Sequence, residues 1–215
     1  MMPESQGPGW QSVRSDARAC HLLQRLALAA LACGALGHAE AAQAKVVVPR
    51  AVRRELDRSE ALLRSRLEQL PPGSGVVLER EPDHLLLRVP ARLLFQPDSA
   101  DLRPEPQATL PLRLATQLLK QRRKLTAQIA VYGDALGPKI ASLALTQQRA
   151  LTVEGALDTA GIAPARITAE GLGGEAPLAQ NDSPEGRTEN RRVEIVFARG
   201  GAPVRALTPA PAAGP

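Results

Sequence analysis

The segment Val131-Tyr132-Gly133-Asp134-Ala135-Leu136-Gly137 constrains this chain more than any other. The apolar run Ala127–Val131 reads as a short strand, and Ile140–Ala160 repeats apolar residues at helical spacing, with Leu143, Leu145, Val153 and Leu157 expected to face inward. A strand that passes through a glycine-containing turn into a long helix calls for a layered domain, in which the helix covers the sheet. The same turn sets up chemistry. Asp134 falls just past the strand and Arg149 well inside the helix, so a fixed anion and a fixed cation flank one turn. Such a pair can hold a zwitterion, the carboxylate taking an ammonium and the planar guanidinium taking a carboxylate. The plain alternatives are a turn or helix cap for Asp134 and a surface ion pair for Arg149.

The rest of the chain supplies a sheet and its cover. Arg50–Leu70 reads as a helix with a stripe of Val52, Leu56, Leu63, Leu67 and Leu70, stopped by Pro71-Pro72-Gly73. The stripe is too narrow for a coiled coil and suits packing on the domain or a weak pairing with another copy. Gly75–Arg80 and His84–Val89 read as two strands joined at Glu81-Pro82-Asp83. A helix is expected from about Pro104 to Gln121, with Leu110, Leu114, Leu118 and Leu119 on one face and irregular first turns caused by Pro106 and Pro111. Gly161 ends the long helix. Arg166–Glu170 is a further strand, Gly171–Asn190 a long polar loop, and Arg192–Phe197 an alternating strand that closes the sheet. The order is β-β-α-β-α-β-β, an α+β fold with a small mixed sheet and helices packed on it.

The N-terminus has the layout of an export signal. Arg14, Arg18 and Arg25 precede the apolar run Leu26–Gly37, and small residues at Ala42-Gln43-Ala44 offer a cleavage site. That run is shorter than the roughly 20 residues a bilayer span needs. A buried N-terminal helix is the alternative, and Cys33 after Ala30-Leu31-Ala32 gives an imperfect lipid-attachment sequence. Residues 1–44 are thus expected to be a signal peptide, 45–74 a helix and linker, 75–199 the domain, and 200–215 a disordered Pro/Ala-rich tail. Cleavage after Ala44 removes both cysteines and leaves His84 as the one histidine.

Charge and composition exclude several classes of function. The leader's arginines balance Glu4, Asp16 and Glu40, so the remainder keeps the chain's net charge of +5. That suits contact with anionic polymers without choosing among lipid headgroups, nucleic acid and wall carboxylates. The densest basic run, Lys120-Gln121-Arg122-Arg123-Lys124, reads as a solvated helix end that complements the helix dipole, with anion binding as the alternative. Aromatic residues make up 2% of the chain, too few for a stacking platform on single-stranded nucleic acid or for a membrane-barrel girdle. With one histidine and no cysteine left after cleavage at Ala44, neither a metal cluster nor a Ser-His-Asp set is expected. Gly171-Leu172-Gly173-Gly174 follows a strand without opening a helix, so it is not a phosphate loop.

Four stretches together resemble a known family. They are Leu94-Phe95 with Asp98-Ser99-Ala100-Asp101-Leu102; Asp134, Gly137, Leu145 and Arg149-Ala150; Gly161-Ile162 followed by Arg166-Ile167; and Gly171, Gly173, Glu175, Pro177, Asn181, Gly186-Arg187 with Asn190-Arg191-Arg192-Val193-Glu194-Ile195. In order and spacing, residues from about Val76 to Ala198 resemble the OmpA C-terminal-like domain, the peptidoglycan-binding module of outer-membrane proteins and peptidoglycan-associated lipoproteins. The resemblance implies an OmpA-C-like β/α sandwich, with no cofactor, no metal and no enzymatic activity. It implies that Asp134 takes the ammonium and Arg149 the carboxylate of diaminopimelate in a peptide stem. Gly137, Ser142, Thr146, Asn190, Arg191 and Arg192 are implied as possible supporting residues, the last three chiefly as braces of the long loop.

This chain departs from that pattern beside the site. The family's Gly-His-Thr-Asp is here Val131-Tyr132-Gly133-Asp134, an Asn eight residues after the Asp is Ser142, and Pro97 replaces an aromatic residue. Two hydrogen bonds changed, at about 1 kcal/mol net each, lower the expected affinity by one or two orders of magnitude. The resemblance further implies an exported Gram-negative envelope protein, in the periplasm or on the periplasmic face of the outer membrane. Its expected partner is peptidoglycan, with membrane contact only through an anchor or a partner and no nucleic acid. The alternative is an envelope scaffold of the same fold with a weakened wall site, binding proteins through Arg50–Leu70.

Overall fold

The structure is a computed structural model that describes residues 48–200. The chain divides into two units, Met1–Ala44 and Lys45–Pro215. The first unit, and with it the expected signal peptide, Cys20 and Cys33, lies outside the described residues, as does the tail from residue 201.

Helix α1 (Arg50–Leu67) opens the described chain. Strands β1 (Val77–Arg80) and β2 (His84–Pro90) form the expected hairpin. A single helical turn, α2 (Ala91–Leu94), follows, then α3 (Leu110–Gln121), β3 (Leu125–Tyr132) and α4 (Lys139–Thr159). A 3-10 turn (Pro164–Arg166) leads into β4 (Ile167–Gly173), α5 (Pro184–Asn190) and β5 (Arg192–Arg199).

The five strands lie in the order β1-β2-β5-β3-β4, with β3 and β4 parallel and the other neighbours antiparallel. The alternation read in β5 sets its two faces. Val193, Ile195 and Phe197 join Leu85, Leu87 and Val89 of β2 and Leu125, Ala127, Ile129 and Val131 of β3 in one core. Leu56 and Leu63 of α1, Leu114 and Leu118 of α3, and Val153 and Leu157 of α4 complete that core. Each fully buried Val, Leu, Ile or Phe side chain among them contributes roughly 1.5–3 kcal/mol. Helix α1 is therefore a structural part of the domain.

Several boundaries differ from the sequence reading. The last strand completes the sheet from within: β5 inserts between β2 and β3, where it is buried on both faces. Helix α3 starts at Leu110, not Pro104. Proline inside a helix removes a hydrogen bond and clashes with the preceding turn, so residues 104–109 form turns closed by Ala108 and Thr109 N–H on the Glu105 carbonyl, and Pro111 occupies the first helical turn. The stretch 171–190 is not one loop. Strand β4 runs on to Gly173, and Ser183 Oγ caps α5 by accepting from Gly186 N–H at 3.0 Å. Leu143 is 44% exposed rather than inward, because α4 buries Thr146, Arg149, Ala150, Val153 and Leu157 instead.

Gly171 explains that rotation of α4. A Cβ there would sit 2.1 Å from the Gln147 backbone nitrogen, so the helix lies directly on the β4 backbone. Gln147 Oε1 accepts from Gly171 N–H and Thr146 Oγ1 accepts from Gly173 N–H, both at 2.9 Å. This contact fixes the phase of the helix that carries Arg149.

Candidate functional site

The register of the central strands delivers the site. Tyr132 pairs with Arg192 where β3 ends and β5 begins. Just beyond that pair, Asp134 lies two residues after β3 and Arg191 one residue before β5, and the Arg191 guanidinium donates to Asp134 Oδ2. Asp134 Oδ1 accepts from Leu136 N–H at 3.3 Å, so the residue also shapes its own turn.

Arg149 comes to the same place from α4. It is buried, its Nε donates to the Ser99 carbonyl at 2.8 Å, and its guanidinium carbon lies 5.0 Å from the Phe95 ring centroid. Burial lowers its pKa from the ordinary arginine value, Asp98 acts in the opposite sense, and the Arg191 charge lowers it further. From so high a starting point the group remains a cation. The ring and the carbonyl hold the guanidinium at a fixed angle on the cavity wall.

Asp134, Arg149 and Arg191 line one cavity of about 480 Å³, together with Gly133, Ser142 and Thr146. Arg92, Asp98, Phe95 and Arg103 form its other wall. Four guanidinium groups thus face two carboxylates, and the cavity favours a ligand with more negative than positive charge. Arg103 is partly committed, its Nε donating to the Arg92 and Phe95 carbonyls at 3.0 and 3.1 Å. Among the described residues no group of acids, histidines and cysteines is placed to hold a metal ion.

The remaining sequence candidates sort by position. Ser142 Oγ donates to the Asp134 carbonyl at 3.4 Å, and Thr146 Oγ1 bonds to α4 carbonyls and to Gly173 N–H. Both are braces on the cavity wall. Gly133 explains its own substitution: a Cβ at that position would lie 2.7 Å from Ser142 Oγ, so the missing hydroxyl and Ser142 belong to one packing arrangement. Gly137, at φ 82°, lies in the turn before α4 and does not line this cavity.

Asn190 is fully buried. It accepts from Leu178 and Ala179 N–H and donates to the Ala179 carbonyl and Asn181 Oδ1, tying down the segment before α5. Arg192 turns away from the cavity. It lies 3.7 Å from the Tyr132 ring centroid and donates to Glu194 Oε1 at 2.7 Å. The Tyr132 hydroxyl is pushed up to about 12 by burial and then by Glu194, against the lowering effect of Arg192. Sequence reasoning missed the roles of Phe95, the Ser99 carbonyl, Arg92 and Arg103, because their approach to Arg149 joins segments about fifty residues apart.

Comparison with known proteins fits this geometry. Residues 94–191 match the model of the OmpA family. The chain is 36% identical over 142 residues to YiaD of Escherichia coli, covering 66% of this chain and 62% of that protein. It is 30% identical over 123 residues to the peptidoglycan-associated lipoprotein of Pseudomonas aeruginosa, covering 57% of this chain and 71% of that protein. A MotB-like protein of Desulfovibrio vulgaris superposes with a TM-score of 0.61 at 29% identity, over 70% of this chain and 95% of that one. The chain thus spans somewhat under two thirds of YiaD and more of the other two. By sequence and by fold, the chain belongs to the OmpA family.

Proposed function

We propose that this protein binds peptidoglycan non-covalently, holding the diaminopimelate of a stem peptide in the cavity between Asp134 and Arg149. The observation that carries this reading is the convergence of Asp134, Arg149 and Arg191 on one cavity. A relative named as peptidoglycan-associated supports it. Arg149 takes the ligand carboxylate through its Nη groups. Asp134 takes the ammonium on Oδ1, which otherwise accepts one N–H at 3.3 Å; a carboxylate has room for further donors beside its Arg191 partner. The excess of arginine suits a stem that carries additional carboxylates.

Binding without bond cleavage is part of the proposal; the histidine among the described residues, His84, does not line the cavity. That residue pairs with Ala198, at the end of the sheet away from the cavity, and its Nδ1 is 2.7 Å from Asp83 Oδ1. The protein is read as exported to the periplasm, linking the outer membrane or a partner to the wall. Among the described residues no helix is long and apolar enough to cross a membrane. Retention on purified sacculi tests the reading: wild type is retained and an Asp134→Ala/Arg149→Ala variant is not. Equal retention by a folded variant contradicts it.

One observation favours a scaffold instead: Arg191 already occupies Asp134. In that reading the wall site is weak and the exposed face of α1 binds proteins. Leu56 and Leu63 are core residues, so deletion of α1 would damage the fold. Alanine substitutions at exposed Arg53, Arg58 and Arg66 test the scaffold cleanly, since they abolish partner capture only if that face is used.

A further inference from the structure

Positive charge gathers at the end of the sheet opposite the cavity. Lys124 directly precedes β3 and Asp134 follows it, so the eight residues of that strand, about 25 Å, separate the two ends. Ala51 and Glu55 of α1, Arg122, Arg123 and Lys124 after α3, and Arg199 at the end of β5 line one open depression. Arg54 and Arg58 lie on the same side of α1 as Ala51 and Glu55. Glu55 is the one acid lining the depression, and Arg199 Nη1 lies 3.9 Å from it. Arg54, Arg123 and Lys124 are exposed and have no acidic partner among the described residues.

Part of this arrangement works against the fold's own stability, although Arg122, Arg123 and Lys124 follow the C-terminus of α3, where the helix dipole favours cations. Arg50, Arg53 and Arg54 stand in the first turns of α1 with no acid among them in the first turn, where the helix dipole disfavours cations. Arg122 Nε is buried without a hydrogen-bond partner. Arg166 closes α3 by donating to the Leu119, Arg122 and Leu125 carbonyls, and its pKa is lowered by burial and then by the nearby Arg123 charge. Arg54, Arg123 and Lys124, which have no acidic partner among the described residues, are mutually repelling cations that an external anion would relieve.

The shape and the chain path indicate which anion. The depression is broad and open, suited to an extended surface rather than a small enclosed ligand. Val48 leads into α1 at this end and Gly200 follows Arg199 at the same end. Residues 1–47 and 201–215 thus both join the domain at this end, through Val48 and Gly200. We propose that the Arg54, Arg123, Lys124 and Arg199 end of the domain docks on anionic phospholipid headgroups, leaving the Asp134–Arg149 cavity facing away from the membrane. The guanidinium and ammonium groups donate to headgroup phosphates. With so few aromatic residues in the chain, the contact is electrostatic and peripheral, hence salt-sensitive.

The test compares full-length protein with an Arg54→Gln/Arg123→Gln/Lys124→Gln variant. Each is sedimented with vesicles of phosphatidylcholine alone or mixed with phosphatidylglycerol. The proposal expects wild type to prefer the anionic vesicles, salt to weaken that preference, and the variant to lose it by on the order of a hundredfold. The variant's urea midpoint should be unchanged or raised, since three repelling charges are removed, and its sacculus retention should be unchanged. Equal binding of variant and wild type overturns the proposal, as does equal binding to both vesicle types, which assigns the contact to the apolar run. Loss of sacculus retention by the variant with vesicle binding intact assigns the basic end to the wall, and tighter binding to duplex DNA than to vesicles assigns it to nucleic acid; either overturns it. The proposal stands apart from the wall reading: failure of wild type to bind sacculi leaves the vesicle result untouched.

Discussion

The guanidinium carbon of Arg149 stands 5.0 Å from the centroid of the Phe95 ring, while its Nε donates to the Ser99 carbonyl just along the chain. One short segment therefore supplies both the surface on which the arginine rests and the acceptor that sets its angle. Substitution of Phe95 by Leu keeps an apolar residue but removes the ring face. It is expected to cost about 1–3 kcal/mol of stability, from lost packing and a lost cation–π contact, and to weaken sacculus retention about tenfold by freeing Arg149. Urea unfolding and a retention assay measure the two effects separately.

Asp134→Asn separates binding from folding. The Arg191–Asp134 pair is partly exposed, with 40% of the arginine side chain and 19% of the aspartate accessible, so its loss is expected to change stability by no more than about 1 kcal/mol. The same change removes the anion that meets the ligand ammonium and leaves the cavity's cations less balanced. Retention on sacculi should therefore fall at least tenfold at an almost unchanged urea midpoint.

Gly133 and Ser142 are expected to act as a coupled pair. Gly133→Ala brings a methyl group within 2.7 Å of Ser142 Oγ and should destabilise the domain by about 1–2 kcal/mol. On a Ser142→Ala background the cost should shrink, giving a coupling energy of at least about 0.5 kcal/mol in a double-mutant cycle. Strict additivity would show that the two positions do not share their space.

How much of this was legible in the sequence depends on the distance over which each feature is decided. The strand–turn–helix from β3 to α4 and the alternation of Val193, Ile195 and Phe197 are local patterns, and both appear in the fold as read. The place of β5 is not local. It fills the gap between β2 and β3, a position decided by pairing with segments far away in the chain. Leu143 looked inward on periodicity alone; contact at Gly171, itself a non-local packing decision, turned the helix so that Arg149 is buried instead. The Ser183 cap of α5 was present in the sequence but obscured by surrounding glycine, proline and asparagine. Asp134 and Arg149 were identifiable as a pair. That Arg191, rather than Arg192, completes the cavity follows only from the Tyr132–Arg192 register.

Stability at high pH should report the Tyr132 hydroxyl. Its pKa is raised to about 12 from an ordinary 10.0, so the folded state holds the proton after the unfolded chain has released it. Between those two values the unfolded state binds fewer protons, and stability falls as pH rises. Its contribution is complete below pH 10 and lost as pH passes about 12, amounting to roughly 2–3 kcal/mol. This is the chain's one tyrosine, so phenolate absorbance should titrate near 12 in the folded protein and near 10 in urea. Tyr132→Phe should flatten this part of the stability profile.

Calorimetric titration of the protein with a stem peptide containing meso-diaminopimelate, beside the same peptide with lysine in that place, tests the central claim most directly. Lysine keeps the side-chain ammonium but lacks the carboxylate assigned to Arg149. The account predicts binding of the diaminopimelate peptide, at least tenfold weaker binding of the lysine peptide, and loss of that preference in Asp134→Asn. Equal affinity of wild type for the two peptides, or binding that Asp134→Asn leaves unchanged, would contradict it.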